Sequence, residues 1–165
     1  MAARNIGLVY GGSKVGLMGV LADAVLQSGG HAIGVIPRHL MAKEVGHPGL
    51  TKLHVVDSMH ERKALMADLS DAFVALPGGF GTLDEFCEVV TWTQLGLHAK
   101  PCGMLNVCGY YSPLLAMFDH AVQECFLKPE NRRLVLARSS TSELLEALKE
   151  WRPLHVEKWL DRETR

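Results

Sequence analysis

Short apolar runs alternate with longer amphipathic segments along most of the chain. Each run has four or five mostly apolar residues, which is typical of a strand covered on both faces. Each intervening segment repeats its apolar residues at helical spacing. The runs occupy residues 6–10, 33–36, 53–56, 72–76, 103–107 and 134–137, and the helical segments occupy residues 17–27, 59–69, 83–95, 114–126 and 143–151. The alternation predicts an α/β fold with a doubly wound, mostly parallel sheet and helices on both faces.

Three of the predicted helices begin with a capping-box pattern. In this pattern a small hydroxyl side chain binds the backbone amide three residues later, and that later residue is Glu or Gln. The pattern marks a helix start, so it supports the boundaries that the apolar runs predict. The pairs are Ser58 and Glu61, Thr82 and Glu85, and Ser140 and Glu143.

The size and charge of the chain limit the possible architectures and partners. Its 165 residues, 48% of them hydrophobic, are enough for one core and too few for two ordinary domains. We therefore expect a single domain over residues 1–165, with a frayed polar tail at 158–165. The 17 Lys and Arg residues and 18 Asp and Glu residues leave a net charge of −1. With this balance the chain has no excess of positive charge to attract the phosphate backbone of DNA or RNA, so nucleic acid is not an expected partner.

Cysteine and histidine spacing predicts neither a disulfide framework nor a metal site. The four cysteines form no Cys-x-x-Cys pair, and none of the eight histidines has another four positions away. Free thiols in a reducing cytosol are the expectation. No apolar run approaches the ~20 residues of a membrane span, and the first residues lack the layout of a signal peptide. The sequence therefore predicts a cytoplasmic protein without a membrane partner.

Glycine-rich turns follow two of the predicted strands, at the edge where open parallel sheets bind ligands. They span residues 11–19 and 77–82, and each opens a helix. Glycine permits close approach of a ligand and helix-start amides bind anions, so two such turns suit a phosphorylated ligand. Neither turn has Walker or Gly-x-Gly-x-x-Gly spacing, which argues against ATP hydrolysis and dinucleotide binding. Tight strand-to-helix turns without a ligand are the structural alternative.

Charged residues at two helix starts are the candidates for chemistry. Glu85 is predicted in the first turn of the helix after the second glycine turn, where its carboxylate can face the amides of that turn. The same position suits a capping box with Thr82 or a simple dipole partner. Arg62 and Lys63 follow the strand at residues 53–56. They are either cations for an anion site or a solvated surface pair.

The segments PGGFGTLDE at residues 77–85 and MHERK at residues 59–63 together resemble the LONELY GUY family. Its members are cytokinin riboside 5′-monophosphate phosphoribohydrolases, long mislabelled as lysine decarboxylases. The resemblance extends from residue 6 to residue 115, which is most of the chain. It implies a Rossmann-like fold, usually a homodimer with its sites near the subunit interface. The implied reaction cleaves the N-glycosidic bond of an adenine-type nucleoside monophosphate into free base and ribose 5-phosphate, without a cofactor.

The resemblance also implies roles for individual residues. Arg62 and Glu85 would form the catalytic pair, and Lys63 would add positive charge. The implied phosphate-binding residues are Gly78, Gly79, Gly81 and Thr82. The implied nucleotide pocket is lined by Gly11, Gly12, Ser13, Met59 and Lys63.

These roles agree with the chemistry of the implied reaction. Cleavage at N9 passes through an oxocarbenium-like sugar, which the Glu85 carboxylate can stabilise while it orients or deprotonates water. Arg62 keeps its charge at any working pH, so it would act electrostatically and not as the proton donor. The proton donor to the departing base stays open among His60, Asp84 and water.

The sequence departs from the family pattern in two places. Ser13 stands where many relatives have a third glycine. Relatives also usually begin with an extra strand, a loop and a helix, and the resemblance leads us to expect a start inside the family's domain, which would leave part of the nucleotide wall incomplete. The alternative function is therefore a nucleotide-binding protein without hydrolase activity. A pyridoxal phosphate decarboxylase is disfavoured because no lysine is distinguished as a Schiff-base residue.

Overall fold

The computed structural model describes residues 1–41 and 46–153. The chain divides into two compact units, Met1–Ser70 and Asp71–Arg165, and each contains a three-stranded parallel sheet. The predicted α/β, Rossmann-like class is confirmed. The single domain over residues 1–165 stays a prediction, and the predicted tail at residues 158–165 lies outside the described residues.

The first unit is built around a buried central strand. Its sheet order is β1-β2-β3, with Leu8 opposite Ala32. Strand β2 is buried along almost its whole length, which explains its uninterrupted apolar run. Ala22 and Val25 of α1 pack with Leu8, Tyr10 and Ala32 of the strands. The elements are a 3₁₀ helix at Ala2–Arg4, β1 (Leu8–Tyr10), α1 (Gly16–Gln27), β2 (Ala32–Pro37), β3 (Lys52–Val56) and α2 (Met59–Leu69).

The second unit repeats this plan with more helices. Its sheet order is β4-β5-β6, and every residue of the central strand β5 is buried. The strands are β4 (Phe73–Ala75), β5 (Cys102–Leu105) and β6 (Val135–Arg138). The helices are α3 (Phe80–Leu95), α4 (Ser112–Gln123), α5 (Pro129–Arg132) and α6 (Thr141–Glu150), with a 3₁₀ helix at Val107–Gly109.

Alternate residues of β5 belong to two different hydrophobic clusters. Cys102 and Met104 pack in a cluster that includes Phe86 of α3. Leu105 packs in another cluster with Leu144 of α6. Successive strand residues point to opposite faces of a sheet, so α3 and α6 cover opposite faces. The prediction of helices on both faces is confirmed for this sheet.

The predicted strands and long helices are all present, and each observed end lies within three residues of its predicted position. The short α5 and the two 3₁₀ helices were not predicted, because three or four residues are too few to display a helical period. Two of the three predicted helix starts are confirmed as serine N-caps. The Oγ of Ser58 accepts a hydrogen bond from the amide of Glu61 at 3.1 Å, and the Oγ of Ser140 accepts one from the amide of Glu143 at 3.3 Å.

The capping box predicted at Thr82 and Glu85 is wrong. Helix α3 begins earlier, with Gly79 as its N-cap, and the Gly79 carbonyl accepts a hydrogen bond from the amide of Leu83 at 3.1 Å. Thr82 is therefore the third residue of the helix, and Glu85 lies in the second turn instead of the first. The glycines before Thr82 permit the earlier start, which the Thr-x-x-Glu pattern alone does not reveal.

Gly34 of β2 lies against the turn that follows β1. A Cβ on Gly34 would lie 2.6 Å from the Cα of Gly12 and 2.6 Å from the Cδ1 of Leu50. The Cα of Gly12 is a backbone atom of a turn with positive φ, so moving it away from the new methyl group would cost free energy. We expect Gly34→Ala to lower the free energy of unfolding by about 1–3 kcal/mol in urea titrations. Gly7→Ala is the control, since its Cβ would meet nothing closer than 3.7 Å. Equal losses in both variants would contradict the prediction.

Candidate functional site

The first glycine turn follows β1 directly and is buried at Gly11, Gly12 and Ser13. The carbonyl of Gly12 accepts a hydrogen bond from the amide of His47 at 2.9 Å. Ser13 forms an isolated antiparallel bridge with Gly46. Contacts with residues more than thirty positions away therefore fix the path of this turn.

Ser13 and Tyr10 supply the internal hydrogen bonds of the first turn. The Ser13 Oγ accepts from the amide of Val15 at 3.0 Å, and the Ser13 carbonyl accepts from the Tyr10 hydroxyl at 3.2 Å. Burial, and then the negative charge of Asp23, raises the pKa of Tyr10 to about 12. The Tyr10 hydroxyl therefore keeps its proton at neutral pH and remains a donor.

A buried histidine joins the first turn to α1. The Nδ1 of His47 accepts a hydrogen bond from the amide of Gly49 at 3.1 Å. The proton of the neutral ring is then on Nε2, which donates to the Oδ1 of Asp23 at 2.9 Å. His47 was not among the predicted site residues. Its partners lie on other parts of the chain or are backbone groups, so spacing gave no sign of them.

Arg62 of α2 reaches the first turn. The residue is only 8% exposed, and a Cβ on Gly11 would overlap its Nη2 atom. Its Nη1 also lies 3.9 Å from the Sδ of Met59, one helical turn earlier. Lys63, the next residue, is half-buried. Because a guanidinium stays protonated, this unit places a buried cation against a glycine turn at the carboxyl edge of its sheet.

The second glycine turn leaves β4 and opens α3. A Cβ on Gly78 would overlap the Oγ1 of Thr82, so only glycine permits this close approach. A Cβ on Gly79 or Gly81 would meet open space instead. The first amides of a helix have no carbonyl partner within it, and the helix dipole is positive at that end. The turn is therefore suited to an anion.

Glu85 lies one helical turn beyond Thr82 on the same side of α3. Residues three apart on a helix are neighbours, and Glu85 is half-buried beside the core residue Phe86. Asp84 is exposed, as is His60 at the start of α2. Glu85 thus follows Thr82 on the helix that the second turn opens.

Two tyrosines hold the second turn from the carboxyl side of β5. The hydroxyl of Tyr111 donates to the Leu76 carbonyl at 2.5 Å, and that of Tyr110 donates to the Gly78 carbonyl at 2.7 Å. Neither tyrosine was a predicted site residue. Their position after a strand indicated that they lie at the ligand-binding edge, because the carboxyl ends of parallel strands share one edge. Their carbonyl partners could not be predicted, because these lie 35 residues away for Tyr111 and 32 residues away for Tyr110.

The predicted site residues are divided between the two units. The first unit contains Gly11, Gly12, Ser13, Met59, Arg62 and Lys63, and the second contains Gly78, Gly79, Gly81, Thr82 and Glu85. Each set lies at the carboxyl edge of its own sheet. In residues 1–41 and 46–153, no group of three or more His, Cys, Asp or Glu side chains is placed to hold a metal ion. None of the helices in the described part of the chain is long and apolar enough to cross a membrane.

Comparison with known proteins identifies the family. A family model with the description "Possible lysine decarboxylase" matches residues 18–148. A probable cytokinin riboside 5′-monophosphate phosphoribohydrolase of Oryza sativa subsp. japonica is 50% identical over 155 residues, which cover 94% of this chain and 74% of the relative. The chain belongs to the LONELY GUY family.

Other LONELY GUY proteins match over the same share of the chain. A second probable phosphoribohydrolase of the same rice is 52% identical over 94% of this chain and 64% of the relative. A cytokinin riboside 5′-monophosphate phosphoribohydrolase of Arabidopsis thaliana is 50% identical over 94% of this chain and 73% of the relative. The chain therefore spans between 64% and 74% of the length of these relatives. The resemblance predicted from residues 59–63 and 77–85 is confirmed, and the family is one of nucleoside monophosphate N-glycosidases.

Proposed function

We propose that this protein hydrolyses the N-glycosidic bond of adenine-type, cytokinin nucleoside 5′-monophosphates. The products are the free base and ribose 5-phosphate. The observation that carries the proposal is the position of Glu85, which is half-buried and lies one helical turn beyond Thr82 and the second glycine turn. The chain is also about half identical in sequence to phosphoribohydrolases. An anion-binding turn and a nearby carboxylate are the two groups that such a substrate requires.

The phosphate of the nucleotide binds the second glycine turn. Gly78, Gly79 and Gly81 let it approach the backbone, and the first amides of α3 donate to its oxygens. The Thr82 hydroxyl lies beside Gly78 and supplies a further donor. The positive end of the helix dipole favours the bound dianion.

Glu85 acts on the sugar and on water. As the C1′–N9 bond breaks, its electron pair leaves with the base and positive charge develops on the ribose. The carboxylate stabilises that charge and accepts a proton from the water that attacks C1′. The base then takes a proton from His60, Asp84 or water.

Arg62 supplies fixed positive charge in the nucleotide pocket. Its burial against Gly11 limits its conformations, and its guanidinium interacts with phosphate, sugar or departing base without losing a proton. Gly11, Gly12, Ser13, Met59 and Lys63 line the same pocket. Lys63 adds a second cation.

Gly11→Ala is expected to impair this pocket without unfolding the protein. The added Cβ would overlap the flexible end of Arg62, so the guanidinium moves while the backbone keeps its path. Because small displacements of positioning groups can reduce rates by about 100-fold, we expect a loss of about tenfold or more in kcat/KM. Initial rates of base release and a melting curve separate the two effects. A variant with wild-type kcat/KM would show that Arg62 needs no fixed position at Gly11.

Incubation with AMP and with isopentenyladenosine monophosphate tests the proposed reaction. Free base and ribose 5-phosphate, separated by chromatography, are the expected products. Adenosine is the matched control substrate, because it has the same scissile bond and lacks the phosphate. Calorimetry should detect AMP binding under the same conditions. Folded protein that binds AMP and releases no base would refute the hydrolase and favour the binding-only alternative.

The assembly and location are further parts of the proposal. We propose a homodimer in the cytoplasm, without nucleic acid or membrane partners. Leu17 and Val20 of α1 are 77% and 63% exposed, and a second copy would bury such apolar surface. Sedimentation across a concentration series should give a dimer, and a fluorescent fusion should be diffuse in the cytoplasm. A monomer at assay concentrations, or a membrane-bound fusion, would contradict these points.

A further inference from the structure

Tyr110 holds one peptide group of the second glycine turn. Its hydroxyl donates to the carbonyl of Gly78 at 2.7 Å. This carbonyl belongs to the peptide that joins Gly78 to Gly79, which is trans. In a trans peptide the C=O and the N–H point in opposite directions. The bond from Tyr110 therefore directs the Gly79 amide away from the tyrosine.

The peptide between Gly78 and Gly79 needs such an external contact. Glycine on both sides lets it rotate through conformations that other residues exclude. A rotated peptide would turn its carbonyl, with partial negative charge, toward a bound anion. Gly79 is exposed, and a Cβ there would meet nothing within 4 Å, so on the Gly79 side no packing contact restricts this peptide, whereas Gly78 lies against Thr82.

We propose that Tyr110 is a positioning residue for the phosphate: its bond to Gly78 fixes the Gly79 amide as a phosphate donor. This inference rests on the proposed function, because it assigns the second turn to a phosphate. Tyr110 itself does not touch the substrate. Its ring is placed by an edge-to-face contact with Tyr111, with ring centroids 5.0 Å apart.

Tyr111 makes a similar bond with a different consequence. Its hydroxyl donates to the carbonyl of Leu76, and the residue after Leu76 is Pro77, which has no N–H to orient. Tyr111 is also only 1% exposed, and its own amide donates to the Oδ1 of Asn106 at 2.7 Å. Tyr111 therefore anchors the turn, while Tyr110 alone of these two orients an amide.

Binding of ribose 5-phosphate to the full chain tests this inference. We expect Tyr110→Phe to weaken the binding of ribose 5-phosphate and AMP in calorimetry by about five- to tenfold, because the Gly79 amide is then no longer held in the orientation that donates to the phosphate. Adenosine should bind both proteins equally, because it has no phosphate. In turnover with AMP the KM should rise while kcat changes little. Because the Tyr110 side chain is half exposed, the melting temperature of Tyr110→Phe should match that of the wild type.

Thr91→Val is the matched control. It removes a hydroxyl that donates to the Cys87 carbonyl at 2.7 Å from an exposed position on α3, away from the turn. Its affinities should equal those of the wild type. If the wild type binds ribose 5-phosphate and Tyr110→Phe binds it equally well, the inference is overturned and the proposed function stands. If the wild type binds neither AMP nor ribose 5-phosphate, the proposed function fails and this inference with it.

Discussion

Glu85→Gln is expected to reduce base release from AMP by about 100- to 10,000-fold, which is the usual contribution of a positioned acid–base group. The amide has the size of the carboxylate and can neither accept a proton from water nor offset positive charge on the ribose. Glu85 lies in the second turn of α3 and does not cap the helix, so the melting temperature should change by no more than about 2 °C.

Single-turnover assays with chromatographic detection measure this loss. Glu124→Gln is the control, because it removes the same charge from an exposed position after α4 in the same unit. AMP should still bind Glu85→Gln, since the phosphate contacts remain. A folded Glu85→Gln protein with wild-type turnover would remove Glu85 from the mechanism.

Arg62→Met should give the second largest loss, about 10- to 100-fold in kcat/KM, because hydrogen bonds to charged groups are among the strongest in proteins. Methionine fills similar space without charge, so the variant separates the role of the cation from its packing. Arg62→Lys keeps the charge and loses the planar fork. Its activity should lie between that of the wild type and that of Arg62→Met.

Steady-state kinetics and circular dichroism of both variants test the role of Arg62. Arg133→Met is the control, because Arg133 is an exposed cation at the end of α5. Wild-type kcat/KM in folded Arg62→Met would show that the charge is not used. Equal losses in the Lys and Met variants would instead assign the effect to guanidinium geometry.

The sequence predicted the fold well where a single physical cause dominated. The central strands β2 and β5 are buried along their lengths, so their apolar runs are unambiguous. The start of α3 was misplaced because Thr-x-x-Glu occurs both with Thr at the N-cap and, as here, with Thr at the third helical position. The earlier start at Gly79 is accompanied by a close approach of Gly78 to Thr82 that a Cβ would block, and such an approach leaves no trace in the spacing of side chains.

The candidate site was partly predictable for a similar reason. The carboxyl ends of parallel strands share an edge, which made Arg62 a candidate cation for an anion site, and Arg62 is in fact buried against Gly11. The contributions of His47, Tyr110 and Tyr111 were not predicted. The two tyrosines bind carbonyls far away in sequence, and a backbone group has the same chemistry at every position. The imidazole of His47 binds a nearby amide and a carboxylate of α1, 24 residues away.

Tyr10 and Tyr110 have a consequence for ligand selectivity that goes beyond affinity. Each donates its hydroxyl to a carbonyl of a glycine turn, Ser13 in one unit and Gly78 in the other. A hydrogen bond to one of its carbonyls makes a turn costlier to rearrange around an anion of another shape, and this preorganisation favours one ligand shape over another. A planar carboxylate should therefore be a poor substitute for a tetrahedral phosphate, even at equal charge.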